Sequence, residues 1–232
     1  MSEVLTVDGL TFDVRRSDRR KSLEIIVDRG GELRMAVPEG CATEAMAEFA
    51  REKRFWILTK LAEKESLRQP IGTKEFVAGE GFPYLGRSHR LRLVEGQEVP
   101  LKLSRGCFCL DRSQAAEGRQ HFLDWYRDRG RRWLEPRVVS WALRMDVTPT
   151  RIEVADLGYR WGSCGEQGRI SFHWATILLP PSIVTYVIVH ELAHLTERNH
   201  TPAFWALVER ALPDYERRKR WLAEHGGAMV VL

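Results

Sequence analysis

PPSIVTYVIVHELAHLTERNHTPAFW, residues Pro180 to Trp205, is the stretch on which the reading of the fold turns. Pro180 and Pro181 block earlier helix growth, and Ser182 is available to satisfy the first free amides, so a helix is expected to run from here through His194. At about 100° per residue, His190 and His194 differ by about 40° around the axis and about 6 Å along it, so both imidazoles leave one face with room for a single ion between them. Glu191 is turned about 100° from His190, which suits it to reach a water on such an ion rather than the ion itself. His200 comes six residues after His194. A continued helix would put it about 240° away, so the helix must end first. Asn199 tolerates a left-handed C-cap, and Thr201-Pro202 reads as the N-cap and first position of a new helix.

Chance does not account for this arrangement. An HExxH arises at random in about one chain in 200 of this length, and a third histidine at one fixed offset lowers that by a further factor of about 50. Surface histidines on an amphipathic helix are the simpler alternative, but Ile183, Val187, His190 and His194 share one stripe, which turns these imidazoles inward. Three protein ligands with one open position are the pattern of a catalytic Zn2+. Zinc lowers the pKa of its water toward about 7, Glu191 takes the proton and later delivers it to the leaving group, and the metal polarises the carbonyl under attack. The same machinery would serve an amide or a phosphoanhydride.

Working outward, Tyr159 to Ser163 and Arg169 to Trp174 read as a hairpin turning through Gly165 to Gly168. Its edge suits an extended peptide added as a strand, and Arg160 suits a carboxylate or an oxyanion. Cys164 with His173 as its base would make a nucleophile, though a buried structural cysteine is the commoner outcome. Phe204 and Trp205 are expected to pack the following helix against the site. Gly118 to Met145 reads as a long helix with Pro136 as a kink or break. Residues 75–110 have strand character between glycines. Near the start, strands around Phe12 to Val14, Ser22 to Val27 and Glu32 to Val37 read as a β-meander with a Gly30-Gly31 turn, followed by one long helix capped by Thr43 and reaching about Leu67. No internal repeat is evident. Strands give way to helices near residues 110–118, which predicts an α+β protein divided into a β-rich domain, 1–112, and a catalytic domain, 113–232.

Composition narrows the classes. The 232 residues are 44% hydrophobic, enough for a sizeable core, and the net charge of +4 is too small to require nucleic acid. Arg15, Arg16, Arg19, Arg20 and Lys21 form a basic turn that could meet phosphate, although a solvated loop is the commoner outcome. The four cysteines include no CxxC pair, no apolar run approaches the roughly 18 residues of a membrane helix, and the first residues lack the pattern of a signal peptide. A reduced, cytoplasmic chain with no membrane partner is expected.

YRWGSC, GRISFHWATILLPPSIVTYVIVHELAHL and NHTPAFW together closely resemble the YgjP-like family of zinc metallopeptidases, related to SprT-like zincins. RRSDRRKSLEIIV and YLGRSHRLRL resemble the same family's N-terminal portion. The resemblance implies a β-rich part packed on a helical zincin-like part with a small edge hairpin, zinc on His190, His194 and His200, Glu191 as base, and a peptide or protein substrate. His173 stands where the family is expected to have Asn. The third-histidine offset also fits metzincins, but Glu197 replaces their glycine and no Met-turn is evident. Two other readings stay open. One is a metal-dependent nucleoside triphosphate pyrophosphatase that clamps phosphates with Arg15 to Lys21 and Arg160, although Gly79-Glu80-Gly81 and Gly86 lack the spacing of a phosphate loop. The other is a nucleic-acid-binding module around a structural zinc, closed by Glu209 or Asp214 as a fourth ligand.

Overall fold

The structure, a computed structural model, describes residues 3–28, 32–66, 74–158, 160–229 and 232. The chain divides into two compact units, Met1–Gln69 and Pro70–Leu232.

The first unit is a four-stranded sheet with two helices. Strands β1 (Glu3–Val7), β2 (Leu10–Ser17), β3 (Glu24–Val27) and β4 (Leu33–Pro38) lie in the order β1-β2-β4-β3, with β2 and β4 parallel. This corrects the expected meander. Alternate residues Leu33, Met35 and Val37 of β4 are all buried, whereas β3 buries only Ile25, so β4 takes the central place and β3 the edge. The Gly30-Gly31 turn lies outside the described residues. β1 escaped the strand reading, yet it forms a hairpin with β2 through Asp8 and Gly9, both with positive φ. The single expected helix is two, α1 (Thr43–Glu52) and α2 (Arg54–Ser66), because Lys53 leaves helical geometry at φ −88°, ψ 1°. Ala42, not Thr43, holds the N-cap position. Met46, Ala50 and Ile57 close the core over Phe12, Met35 and Val37.

The second unit opens with a sheet of the same topology, which the sequence did not reveal as a repeat. Strands β5 (Gly81–Tyr84), β6 (Arg87–Val94), β7 (Leu101–Ser104) and β8 (Cys107–Asp111) run β5-β6-β8-β7, again with a parallel central pair. Phe82, Leu91, Phe108 and Leu110 from this sheet bury themselves against Phe122 and Tyr126 of the long helix α3 (Gly118–Met145). That shared core explains why the boundary falls at 69/70 rather than at 112/113: removing the sheet would strip α3 of one apolar face. α3 continues through Pro136 without a break and stops at Asp146, a left-handed residue. Beyond it lie β9 (Arg151–Ala155), β10 (Gly162–Cys164) and β11 (Arg169–His173), then α4 (Pro181–Ala193), α5 (Pro202–Ala211) and α6 (Tyr215–Met229).

One turn of the β5–β8 sheet reaches the segment that leads into α4. The amides of Leu85 and Gly86 donate to the carbonyls of Ile177 and Leu178 at 2.9 and 3.0 Å. Gly86 has φ +75°, and a Cβ there would stand 2.9 Å from Pro180 Cα. A Gly86→Ala variant therefore meets both left-handed strain and a backbone clash, and is expected to lose about 2 kcal/mol of stability in denaturant titration. A loss below about 0.5 kcal/mol, within ordinary surface scatter, would show that the turn docks loosely.

Candidate metal centre

α4 carries the two helical histidines and is not amphipathic in the expected sense. Ile183, Val184, Tyr186, Val187, Ile188, Val189, Leu192 and Ala193 are all buried, so neighbours cover the helix nearly all round. Pro181 is its first residue and Pro180 its N-cap, which displaces Ser182 from the capping role. The helix ends at His194 itself, with φ −67° and ψ −14°, five residues before the predicted break. Asn199 is not left-handed; its amide donates to Glu197 Oε1 at 3.1 Å. The loop then reaches Thr201, whose hydroxyl accepts from the Phe204 amide at 3.3 Å and caps α5 as expected.

This path returns His200 to the other two histidines. One ligand atom from each of His190, His194 and His200 lies within 4.8 Å of the others. The Nε2 atoms of His190 and His200 are 3.0 Å apart. Nitrogens on one tetrahedral zinc, each bonded at about 2.0–2.1 Å, stand about 3.3 Å from each other, so this pair needs only a slight opening to share an ion. His194 has Nδ1 placed 3.1 Å from the Glu197 carbonyl, which leaves its Nε2 for the cluster. Phe204 packs on all three rings, with centroids 5.0, 4.5 and 4.8 Å away. Trp205 stacks on His200 at 5.7 Å and on Tyr215 at 5.4 Å. Burial, reinforced by the charges of His194, His200 and Lys219, pushes the His190 pKa down to about 3. Burial also lowers that of His200. Neutral imidazoles are the form that binds a metal.

Glu191 is 6% exposed and lies against β10. Burial pushes its pKa up to about 8, against the pull of the Arg160 charge and of a hydrogen bond from the Cys164 backbone. In metal-free protein, Glu191 thus keeps a proton between about pH 4.5 and 8 that the unfolded chain has released, and stability falls as pH rises through that window. His190 acts oppositely: between about pH 3 and 6.5 the unfolded chain binds a proton that the fold refuses, so this contribution grows with pH. Metal-free Glu191→Gln is accordingly expected to melt near the wild-type temperature at about pH 4.5 and several degrees above it at about pH 9. Thermal denaturation at both pH values checks this; a difference that does not grow with pH would refute it.

The hairpin forms as β10 and β11, antiparallel with Gly162 opposite Phe172, and β11 pairs parallel with β9. β10 is therefore the edge strand of a β10-β11-β9 sheet. Tyr159 lies outside the described residues. Arg160 is exposed at the entry to β10. Trp161 anchors the hairpin through its carbonyl, which accepts from the His173 amide and the Thr176 hydroxyl, both at 2.9 Å.

The Cys164–His173 pair does not assemble. His173 is 2% exposed, and its Nδ1 accepts from the Ala175 amide at 3.1 Å while Nε2 lies 3.3 Å from Asp156. Nδ1 caps the short turn Trp174–Leu178, a task an Asn side-chain oxygen would perform equally. Burial and the Glu191 charge raise the Cys164 pKa, the opposite of an activated thiol. In the basic turn, Arg16 pairs with Glu3 at 2.7 Å and Arg20 with Glu24 at 2.6 Å. Asp214 is bound by Arg217 and Arg218, and among the described residues the group that could hold a metal ion consists of three histidines with no fourth side chain.

Three imidazoles around one point, with a buried carboxyl beside them and no fourth protein ligand among the described residues, form a group that could hold a metal ion and leave it a free position. The sequence matches the family model described as YgjP-like, metallopeptidase domain, over residues 21–225, and the chain belongs to that family. It is a hydrolase of the metallopeptidase class. Among solved structures, it is similar to the metallopeptidase zymogen of Pyrococcus abyssi abylysin, at 21% identity and a TM-score of 0.36, over 39% of this chain and 92% of that one. No curated protein matches. Among the described residues, no helix is long and apolar enough to cross a membrane.

Proposed function

We propose that this chain is a cytoplasmic zinc-dependent peptidase that holds its metal through His190, His194 and His200 and uses Glu191 as the general base. The observation that carries the proposal is the approach of His190 Nε2 and His200 Nε2 to 3.0 Å within the three-histidine cluster, beside a buried carboxyl. Bound there, zinc supplies a Lewis acid for the scissile carbonyl and acidifies a water toward a pKa of about 7. Glu191 takes the proton from the attacking water and passes it to the leaving amine. An extended peptide lies along β10, the edge strand of its sheet, and pairs with the main-chain groups there that neither β11 nor Glu191 engages. Arg160, at the entry to that strand, steadies the oxyanion or a substrate carboxylate. The four cysteines are unpaired, as a reducing compartment requires.

Full-length protein stripped with a chelator should regain about one zinc per chain by elemental analysis and, with it, cleavage of a mixed peptide library read by mass spectrometry. Zinc taken up at a stoichiometry near one with no peptide cleaved would count against the peptidase; no zinc uptake would count against the ligand set.

A further inference from the structure

Three cations come from different segments bordering the candidate site: Lys219 acts on His190 and His200, Arg160 on Glu191 and Arg198 on Cys164. Arg160 precedes β10, Arg198 sits in the loop between His194 and His200, and Lys219 projects from α6; all three are exposed. Lys219 is the best placed. Its Nζ lies 3.9 Å from the centroid of Trp205, the ring that stacks on His200 with 26° between planes. The same indole therefore touches both this ammonium and the His200 ring.

Neither Arg198 nor Lys219 is ion-paired with a carboxylate among the described residues, whereas the neighbouring Arg217 and Arg218 are both bound to Asp214. Of the nearby acids Glu191 is buried, whereas Glu197, bound by the Asn199 amide, and Glu209 and Glu216, which act on the Tyr215 ring stacked on Trp205, offset part of this charge. Holding an ammonium against an aromatic face keeps it oriented while its charge stays available. Several like charges around one opening add their fields there and concentrate substrates of the opposite sign.

We infer that Arg160, Arg198 and Lys219 form a cationic rim that selects acidic peptide segments, with Asp or Glu on either side of the scissile bond. The inference rests on the peptidase reading for what the cleft holds, but the charge preference is separable from turnover. Exposed pairs are individually weak, so three together should favour an acidic over a neutral peptide by about tenfold.

The test uses the full-length, zinc-loaded Glu191→Gln protein and fluorescein-labelled decapeptides of common core, flanked by Glu, Gln or Lys and read by anisotropy. Acidic peptides should bind about tenfold tighter than neutral ones at low salt and lysine-flanked ones weaker still, with the spread collapsing at high salt. Adding Lys219→Glu and Arg198→Glu should reverse the order, while Lys219→Met and Arg198→Met should compress it; zinc content of one per chain shows that each variant retains the site. Indifference to peptide charge in the parent protein, or an unchanged order after charge reversal, overturns the inference. So does an oligonucleotide that displaces the acidic peptide at equal charge. If the parent shows the preference but wild-type protein cleaves none of the bound peptides, the peptidase reading fails and the rim stands. If no peptide binds, both fail.

Discussion

Glu191→Gln is expected to keep one zinc per chain and to lower kcat/KM on any cleaved peptide by about 10³-fold. The replacement changes very little besides the chemistry. Glu191 sits on α4, turned away from the ligand direction of His190 and His194, and its side chain is enclosed against Gly162. Gln fills the same volume and can accept the hydrogen bond that the Cys164 backbone gives to the carboxylate. What it cannot do is take a proton at neutral pH. The loss should therefore lie in kcat, with peptide affinity and metal content nearly unchanged, because only proton transfer in the transition state has been removed. Glu191→Asp keeps the base but draws it back by a methylene, and it should recover part of the rate if position matters as well as basicity. Activity within about tenfold of wild type in the Gln variant would rule out Glu191 as the base.

The parts of this candidate centre that are legible in the sequence are those set by local geometry. His190, Glu191 and His194 follow from helical angles, and Thr201-Pro202 announces the helix that brings Phe204 onto the rings. The break that frees His200 was required by the same angles but misplaced, because the turn after His194 needs no left-handed residue and so leaves no mark at Asn199. What could not be read locally is what long-range pairing decides. The parallel contact of β2 with β4 joins strands through a crossover, and alternation alone does not choose between that and a meander. The β5–β8 sheet looked like part of a β-rich N-terminal domain because its composition resembles the first sheet, yet Phe82 and Phe108 find their partners on α3. Lys219 lies 19 residues beyond His200 and reads as one of a run of charges decorating a helix; only the packing of α6 sets it over Trp205. Glu191's shifted proton affinity has the same origin, since burial by β10 is a tertiary event.

Gly162→Ala is expected to lower kcat/KM by about 10²-fold with zinc retained, even though the substitution adds one methyl to a residue with no side-chain chemistry. A Cβ at this position would fall 2.6 Å from both Cγ and Oε1 of Glu191, closer than real contacts allow. Gly162 is not among the positive-φ residues, so alanine suits the backbone there and the cost resides in the contact alone. Among the described strands β10 pairs with β11 alone, so the strain has two outlets: the edge strand moves off α4, or the Glu191 side chain swings aside. Both change the distance between the carboxyl and the histidine cluster, and a displacement of about 1 Å at a proton-transferring group suffices for a loss of this size. The Gly162→Ala, Glu191→Gln double variant separates this account from a role of β10 in holding substrate. If Gly162 matters because it leaves room for Glu191, the double variant should be no slower than Glu191→Gln alone, because the group being misplaced no longer transfers a proton. Losses that add instead would assign Gly162 to the substrate strand, and KM rather than kcat should then carry the effect of the single variant.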